Sequence, residues 1–370
     1  MIIDRISILN FKNIEEAELS FSPKMNCLFG NNGMGKTNLL DALYYLSFTK
    51  NHSNLPDHQL INHDRDFCVL QGFYHDGADG AVSEEIYCGI KRKQRKVFKR
   101  NKKEYERLSE HIGLVPAVMV SPADTDLIQG GSSDRRKFVD MVISQYDKAY
   151  LRSLILYNKV LQQRNFLLKE NASFSDNSLY EILEEQMCTE GTFIHQKRRE
   201  FVAGFLPVFI EYHKQICGGG ETVDLQYESQ LNNFPLTQQV FSAKREKDKI
   251  IGYTSSGTHK DDFLFLIDDF LIRKIGSQGQ NKTYLIALKL AQFHFLVQKS
   301  SSKPLLLMDD IFDKLDANRV EQIIGLVTSS EFGQIFITDT NRKYLDEILS
   351  SMGHDYKLFR VKEGIIQEHT

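Results

Sequence analysis

Gly30-Asn31-Asn32-Gly33-Met34-Gly35-Lys36-Thr37 is the stretch whose reading decides the fold. It matches G-x-x-x-x-G-K-[ST]. Glycines at these places let backbone N–H groups converge on phosphate oxygens, and a helix that follows adds its positive end. In such a loop Lys36 reaches the β- and γ-phosphates of a nucleotide, and the Thr37 hydroxyl ligates Mg²⁺. With glycine near ~7% of residues, the pattern arises by chance in about one chain of this length per hundred. The flanks make chance a poor account. The apolar run Met25–Phe29 precedes the loop, and residues 37–48 place Leu39, Leu40, Leu43 and Leu46 at helical spacing. Strand, glycine loop and helix open an α/β domain. The stretch does not fit G-x-G-x-x-G, which disfavours a dinucleotide site. Lys36 itself reads as a solvent-facing charge on the loop.

Far along the chain, Pro304-Leu305-Leu306-Leu307-Met308-Asp309-Asp310 is an apolar run that ends in two acids. A buried parallel strand has this form when it delivers carboxylates to the sheet edge where ligands bind. Asp309 would then hold Mg²⁺, usually through water, and Asp310 would polarise the attacking water. A core strand followed by a polar turn has the same form, and the phosphate loop favours the first reading. Upstream lies Ser277-Gln278-Gly279-Gln280, before a helical run at 281–297 that carries Leu285, Leu288, Ala291 and Phe295. A serine there is an ordinary N-cap. It also fits the ABC-type signature S-x-G-Q, in which Ser277, Gly279 and Gln280 would grip the γ-phosphate of ATP bound on another subunit. The order of phosphate loop, S-x-G-Q and Asp-Asp is that of ABC ATPases. Asp313-Lys314-Leu315-Asp316 follows directly.

The 370 residues allow two lobes, and 41% hydrophobic with 26% charged residues is ordinary for a soluble globular protein. No apolar run approaches the ~18–20 residues of a membrane span. The first residues lack the basic-then-apolar layout of a secretory signal, and five cysteines without metal-ligand spacing fit a reduced compartment, so a cytoplasmic location is expected. A net charge of −3 argues against a uniformly basic coat but not against a local basic surface. Nine of the thirteen residues at 91–103 are Lys or Arg. Charge runs are usually solvated faces, but residues 91–103 are also expected to add DNA-phosphate contacts, with Arg135, Arg136 and Lys137 as a rival patch.

From about Ser132 to Cys217 the pattern is helical, with an apolar stripe at Leu151, Leu154, Ile155 and Val160 and a break or restart at Pro207. Residues 263–267 and 270–275 flank Asp268-Asp269 and read as a hairpin. The C-terminal part returns to strand, helix and strand. The expected architecture is α/β: an ABC-type ATPase head made of residues 1–125 and 250–370, with a mainly helical lobe at 126–249 inserted into it.

Several blocks outside the generic motifs resemble the RecF family, relatives of the SMC and break-repair ATPases. They are Asn10-Phe11-Lys12-Asn13, the extended helix at 33–47, Ser121-Pro122-Ala123-Asp124 through Gly130, the run from Arg135 to Asp140, and Gly257-Thr258-His259-Lys260-Asp261-Asp262. Lys12 and Lys260 stand where the family usually has Arg, and Thr258 where Pro is common. Asp339-Thr340 follows the last core strand, where transporter ABC subunits have His. The resemblance implies ATP and Mg²⁺ as cofactors and an ATP-dependent homodimer that clamps DNA. The DNA would be single strands or single/double-strand junctions. It further implies weak ATP hydrolysis, RecO and RecR as mediator partners, and a role in gap repair, fork maintenance and the SOS response.

An ABC ATPase subunit of a membrane transporter is the alternative, but its signature lies much nearer the phosphate loop, whereas Ser277 lies about 240 residues beyond Lys36. A small-metabolite kinase needs no S-x-G-Q helix, and an SMC protein needs sustained heptads that the middle segment lacks.

Overall fold

Two strand patterns run through the chain, and each forms the sheet that its burial permits. Continuous apolar runs build a sheet covered on both faces, and alternating runs build one covered on a single face. The computed structural model describes residues 1–53, 55–76, 84–170, 177–300, 302–312, 315–329, 331–340 and 355–369. Asp313 and Lys314 therefore lie outside the described residues. The chain divides into two compact units, one of Met1–Asp124, Gln215–Gly218 and Gln278–Thr370, the other of Thr125–Lys214 and Gly219–Ser277.

The first unit opens with β1 (Ile2–Phe11), β2 (Ile14–Ser20), β3 (Met25–Phe29) and α1 (Lys36–Phe48). It continues with β4 (Phe67–His75), β5 (Glu84–Lys91), β6 (Val97–Arg100), β7 (Lys103–Glu104) and β8 (Ala117–Val120). The chain then builds α2 (Thr125–Gln129), α3 (Ser132–Tyr146), α4 (Lys148–Glu170), α5 (Ser178–Cys217), β9 (Val223–Glu228), α6 (Gln238–Ile251), β10 (Asp262–Ile267), β11 (Phe270–Leu271) and α7 (Ile272–Ile275). It returns to the first unit for α8 (Gln278–Lys299), β12 (Leu305–Asp309), α9 (Ala317–Val327), β13 (Ile335–Asp339), β14 (Tyr356–Lys362) and β15 (Ile365–Glu368).

In the first unit the antiparallel sheet runs β2-β1-β4-β5-β6-β7 and the other runs β15-β14-β3-β13-β12-β8. β14, β3, β13, β12 and β8 are mutually parallel, and β15 closes one edge antiparallel. Every residue of β12, β13 and β8 is buried, whereas β4 buries only alternate residues. Helix α1 packs against strands of both sheets and is buried nearly all round, which is why it carries leucines and tyrosines without a polar stripe.

In the second unit the boundary differs from the sequence expectation. Residues 250–277 belong here rather than to the head, because β10 pairs antiparallel with β9 along its whole length. The expected hairpin is also shorter, since its second strand stops at Leu271 and the chain turns helical. The stripe predicted on α4 is displaced. Tyr150, Tyr157, Val160, Arg164 and Leu168 are buried, while Ile155 is 48% exposed. The inward face carries tyrosines and an arginine that apolar counting passes over. Helix α5 runs unbroken through Pro207. Phe201, Phe205 and Phe209 are fully buried at four-residue spacing, with stacked rings 4.9 and 6.3 Å apart, and that packing outweighs the missing backbone hydrogen bond.

Arg164 is inaccessible to solvent and donates to Glu184 at 2.9 and 3.1 Å, to Asp248 at 2.8 Å and to the Thr254 hydroxyl at 2.8 Å. Arg245 closes the cluster on Glu184 at 2.6 Å. Removing one partner of a buried pair leaves an uncompensated charge. Arg164→Leu, which strands Asp248, is expected to cost about 3–5 kcal/mol in urea unfolding. A loss below ~1 kcal/mol would show that the cluster is not a structural tie.

Candidate nucleotide-binding site

β3 brings the chain to the C-terminal edge of the parallel sheet, and the glycine loop turns it into α1. Gly35 is the N-cap of α1 at φ 109°, and no side chain caps the helix. A helix N-terminus in that condition takes an external anion on its first-turn N–H groups. Lys36 corrects the sequence expectation of a solvent-facing charge. It is only 4% exposed, and its Nζ donates to the carbonyls of Gly30 at 2.7 Å and Asn31 at 3.2 Å. The loop curls over its own lysine, which a motif cannot reveal.

The Thr37 hydroxyl lies 3.0 and 2.9 Å from the two carboxylate oxygens of Asp309, the last residue of β12. Between β3 and β12 lies β13, whose Thr338 is in register with Asp309 and donates its hydroxyl to Asp309 Oδ1 at 2.6 Å. Burial pushes Asp309 above the usual carboxylate range, with Asp41 adding to the effect against the two threonine hydroxyls and Lys36. Asp310 follows in the left-handed region at φ 44°, its N–H donating to the Thr338 carbonyl at 3.2 Å. Two hard oxygen donors side by side suit Mg²⁺, which takes one or two protein oxygens and completes its shell with water and phosphate.

Two groups that sequence reasoning missed brace this loop, and a third holds the acid beside it. Asn13 Nδ2 donates to the Met34 carbonyl at 3.2 Å, and Asn13 Oδ1 accepts from Asn38 Nδ2 at 2.6 Å. A Cβ on Gly35 would stand 2.7 Å from that Oδ1. Gly364, in the turn between β14 and β15, donates its N–H to the Met34 carbonyl at 2.8 Å. Thr338, which serves Asp309, is the third, and its signal was a lone hydroxyl after the apolar run Ile335-Phe336-Ile337. Lys12 forms an ion pair with Asp41 of α1. At the end of β13, where transporter subunits carry His, Asp339 is buried.

The S-x-G-Q residues lie at the start of helix α8. Helix α8 begins at Gln278, so Gly279 and Gln280 belong to its first turn and Ser277 immediately precedes it. A Cβ on Gly279 would come within 3.2 Å of Arg319 Nη1. Helix α8 packs against β8, an edge strand, whereas the phosphate loop follows β3, three strands away or roughly 14 Å at the usual strand spacing. Farther along α8, Lys289 Nζ donates to Asp124 at 2.8 Å, and His52 lies 3.3 Å from the same oxygen. Burial alone would raise the Asp124 carboxyl, but Lys289 and His52 outweigh it and hold it at about 2.

Of the rival basic cluster, Arg135 is 3% exposed and clamps Asp262 through two hydrogen bonds of 2.8 and 2.9 Å. Arg136 donates to the Asp261 carbonyl at 2.5 Å, and only Lys137 is exposed. Arg135 is therefore taken up by the fold, while Arg136 is half-buried on a backbone carbonyl.

A family model described as RecF/RecN/SMC N terminal domain matches residues 2–367. The chain is 65% identical over 368 residues to the DNA replication and repair protein RecF of Azobacteroides pseudotrichonymphae genomovar. CFP2, with 100% of both chains covered. The chain belongs to the RecF family. It is 60% identical to the RecF of Parabacteroides distasonis, with 99% of each chain covered. The solved structure of the recombination mediator protein RecF with ATP, in the RecFOR pathway, superposes at a TM-score of 0.86 with 28% identity over 99% of each chain. The Smc head bound to the C-winged helix domain of ScpA shares the fold, with a TM-score of 0.58 and 15% identity. These matches displace the transporter-subunit reading, and no helix among the described residues is long and apolar enough to cross a membrane.

Gly364 tests the bracing of the loop. Its φ is 81°, and a Cβ would lie 2.0 Å from the Asn13 carbonyl oxygen. Gly364→Ala is expected to push the turn off the loop and weaken ATP binding about tenfold, or ~1.4 kcal/mol, in a fluorescent-nucleotide titration. Gly325→Ala, in open space on a helix, is the control and should bind as the parent does.

Proposed function

We propose that the chain is an ATP-dependent DNA-binding protein of recombinational gap repair, replication-fork maintenance and SOS induction, and that ATP closes two copies into a clamp on DNA. The observation that carries this reading is the meeting of Thr37, Asp309 and Thr338 beside a phosphate loop. The loop residues Gly30 to Thr37 take the phosphates, with Lys36 leaving its carbonyl partners for the β- and γ-oxygens. Thr37 and Asp309 hold Mg²⁺. Asp310 accepts the proton of the attacking water, and hydrolysis is a slow switch rather than a metabolic activity. RecF proteins known with ATP and placed in the RecFOR pathway support ATP as ligand and RecO and RecR as partners.

One chain has one phosphate loop and one S-x-G-Q helix, and these belong to different parts of the parallel sheet. Two copies about a twofold axis bury two ATP molecules, each held by Lys36 of one copy and by Ser277, Gly279 and Gln280 of the other. A twofold self-complementary contact is the commonest way identical subunits close. Nucleotide is then part of the interface, and hydrolysis releases the dimer and the DNA. The work of the protein is carried out in the cytoplasm, where DNA and the reduced cysteines are both accommodated.

Binding and turnover separate at Asp310. Asp310→Asn keeps size but removes the proton acceptor, so ATP should bind with parent affinity while steady-state hydrolysis falls by at least about a hundredfold. Hydrolysis at the parent rate would assign the base to another group.

Dimerisation separates from binding at Ser277. Ser277→Arg places bulk and charge at the interface, so sedimentation with ATP and Mg²⁺ should give a nucleotide-bound monomer where the parent is a dimer. A parent that stays monomeric with ATP and DNA would refute the clamp. A variant that dimerises normally would remove Ser277 from the interface.

A further inference from the structure

The basic run at 91–103 is not one patch, and the fold sorts its members. Arg92 Nε donates to the Arg65 carbonyl at 3.1 Å, and Arg100 pairs with Glu84. Lys96 turns inward, its Nζ 2.5 Å from the Thr49 carbonyl, 3.0 Å from the Tyr45 hydroxyl and 3.0 Å from Asp57. These three cations are taken up by the protein. Lys91, Lys93, Arg95, Lys102 and Lys103 are exposed, and none of the five has a side-chain hydrogen bond or ion pair among the described residues.

The pairing of β5 with β6 sets where these five stand. Gly89 lies opposite Val97 and Ile86 opposite Arg100, so Lys91, Lys93 and Arg95 crown one end of the hairpin and Lys102 and Lys103 the other. Six residue steps along β5 separate Glu85, opposite Asn101, from Lys91, which is about 20 Å of strand. Midway, Lys99 stands with its Nζ 5.6 Å above the Tyr87 ring. Phe67, in register with Lys91, is 43% exposed. Of the neighbouring acids, Glu84 is held by Arg100 and Glu85 accepts from Gln71, which leaves Asp64, Asp66, Glu106 and Glu104, in register with Lys99, exposed.

Cations at both ends of a strip of about 20 Å, with one between, do not suit a single small anion. They suit a chain of phosphates, since the strip spans roughly six steps of a strand that carries one charge per ~3.4 Å. The strip is also rigidly held. Lys96 binds the carbonyl of Thr49, the C-cap of α1, where the helix dipole favours a cation. The helix that begins at the phosphate loop thus ends on this hairpin.

We propose that the outer edge of the β5–β6–β7 hairpin is the surface on which this chain takes the DNA backbone, through Lys91, Lys93, Arg95, Lys99, Lys102 and Lys103. The inference rests on the DNA-binding reading above and names its place on the chain. The interaction is with phosphates and so is independent of base sequence.

The test is fluorescence anisotropy of the full chain on labelled DNA with ATP and Mg²⁺, across a series of KCl concentrations. Parent protein is compared with a K91Q/K93Q/R95Q/K102Q/K103Q variant, whose ATP affinity serves as the folding control because none of the five touches the nucleotide site. The variant should bind DNA more weakly on every sequence, and the slope of log K against log salt should flatten by about 0.7–0.9 for each phosphate that is no longer neutralised. A variant with unimpaired ATP binding and parent affinity and slope would overturn the surface while leaving DNA binding in place. A flattened slope in Lys137→Gln with none in the hairpin variant would overturn it too. A parent that binds no DNA would overturn the DNA-binding reading and the surface with it.

Discussion

The hydroxyl of Thr37 and the carboxylate of Asp309 meet across 272 residues of sequence, and the first unit is organised around that meeting. The pairing exists only if β13 lies between β3 and β12 in a fixed register, with Thr338 opposite both Leu28 and Asp309. A slip of one residue would turn Thr338 to the other face of the sheet and leave the buried carboxylate short of a donor. The two ends of the chain must therefore fold together before the site exists, and the second unit is an excursion made between them. Burial raises the Asp309 carboxyl while two hydroxyls supply its hydrogen bonds. Such a group favours a divalent cation, whose charge offsets the cost of desolvation.

The shape of the phosphate loop depends equally on residues that belong to no phosphate motif. Asn13 reaches it from the turn after β1, and Gly364 from the turn after β14. Both end on the carbonyl of Met34, at the crest of the loop, and the close approach to Asn13 leaves no room for a Cβ at Gly35 or Gly364. Backbone amides stabilise an anion most when they are already aimed, so the bracing contributes to nucleotide affinity without touching nucleotide.

How much of this is legible in the sequence follows from what each signal measures. The motif and its flanking apolar runs identify β3, α1 and β12, because a buried parallel strand and a glycine loop leave local signatures. The order of phosphate loop, S-x-G-Q and Asp-Asp places the chain among ABC-type heads, and family blocks narrow it to RecF. Long-range partners are not legible. Nothing local in Asn10-Phe11-Lys12-Asn13 says that Asn13 will meet Met34, or that Gly364 will. Lys36 reads as exposed because a spacing rule says nothing of where a flexible side chain folds. Residues 250–277 read as part of the head because only strand pairing between β9 and β10 decides their allegiance. Pro207 reads as a break in isolation, whereas aromatic stacking along α5 holds the helix through it.

Charge is the least legible property, and the reason is desolvation. By sequence, the run of Arg135, Arg136 and Lys137 and the run at 91–103 are alike. In the fold, Arg135 is clamped on Asp262, and Arg198, 2% exposed, donates to Asp140, to Asp261 and to the Thr258 carbonyl. A guanidinium has five donors in a fixed plane, so it can be buried where several oxygens converge, and the Gly257 to Asp262 block supplies them. His259 of the same block is kept neutral, burial pushing it down to about 4 while it bridges Tyr157 and the Thr254 carbonyl. The blocks that mark the family in the second unit therefore do structural work, with Arg135 held by Asp262 and Arg198 by Asp140 and Asp261. A basic surface for a polyanion has to be sought where cations have no such acids, and within the two runs the fold leaves that condition most fully at the two ends of the β5–β6 hairpin.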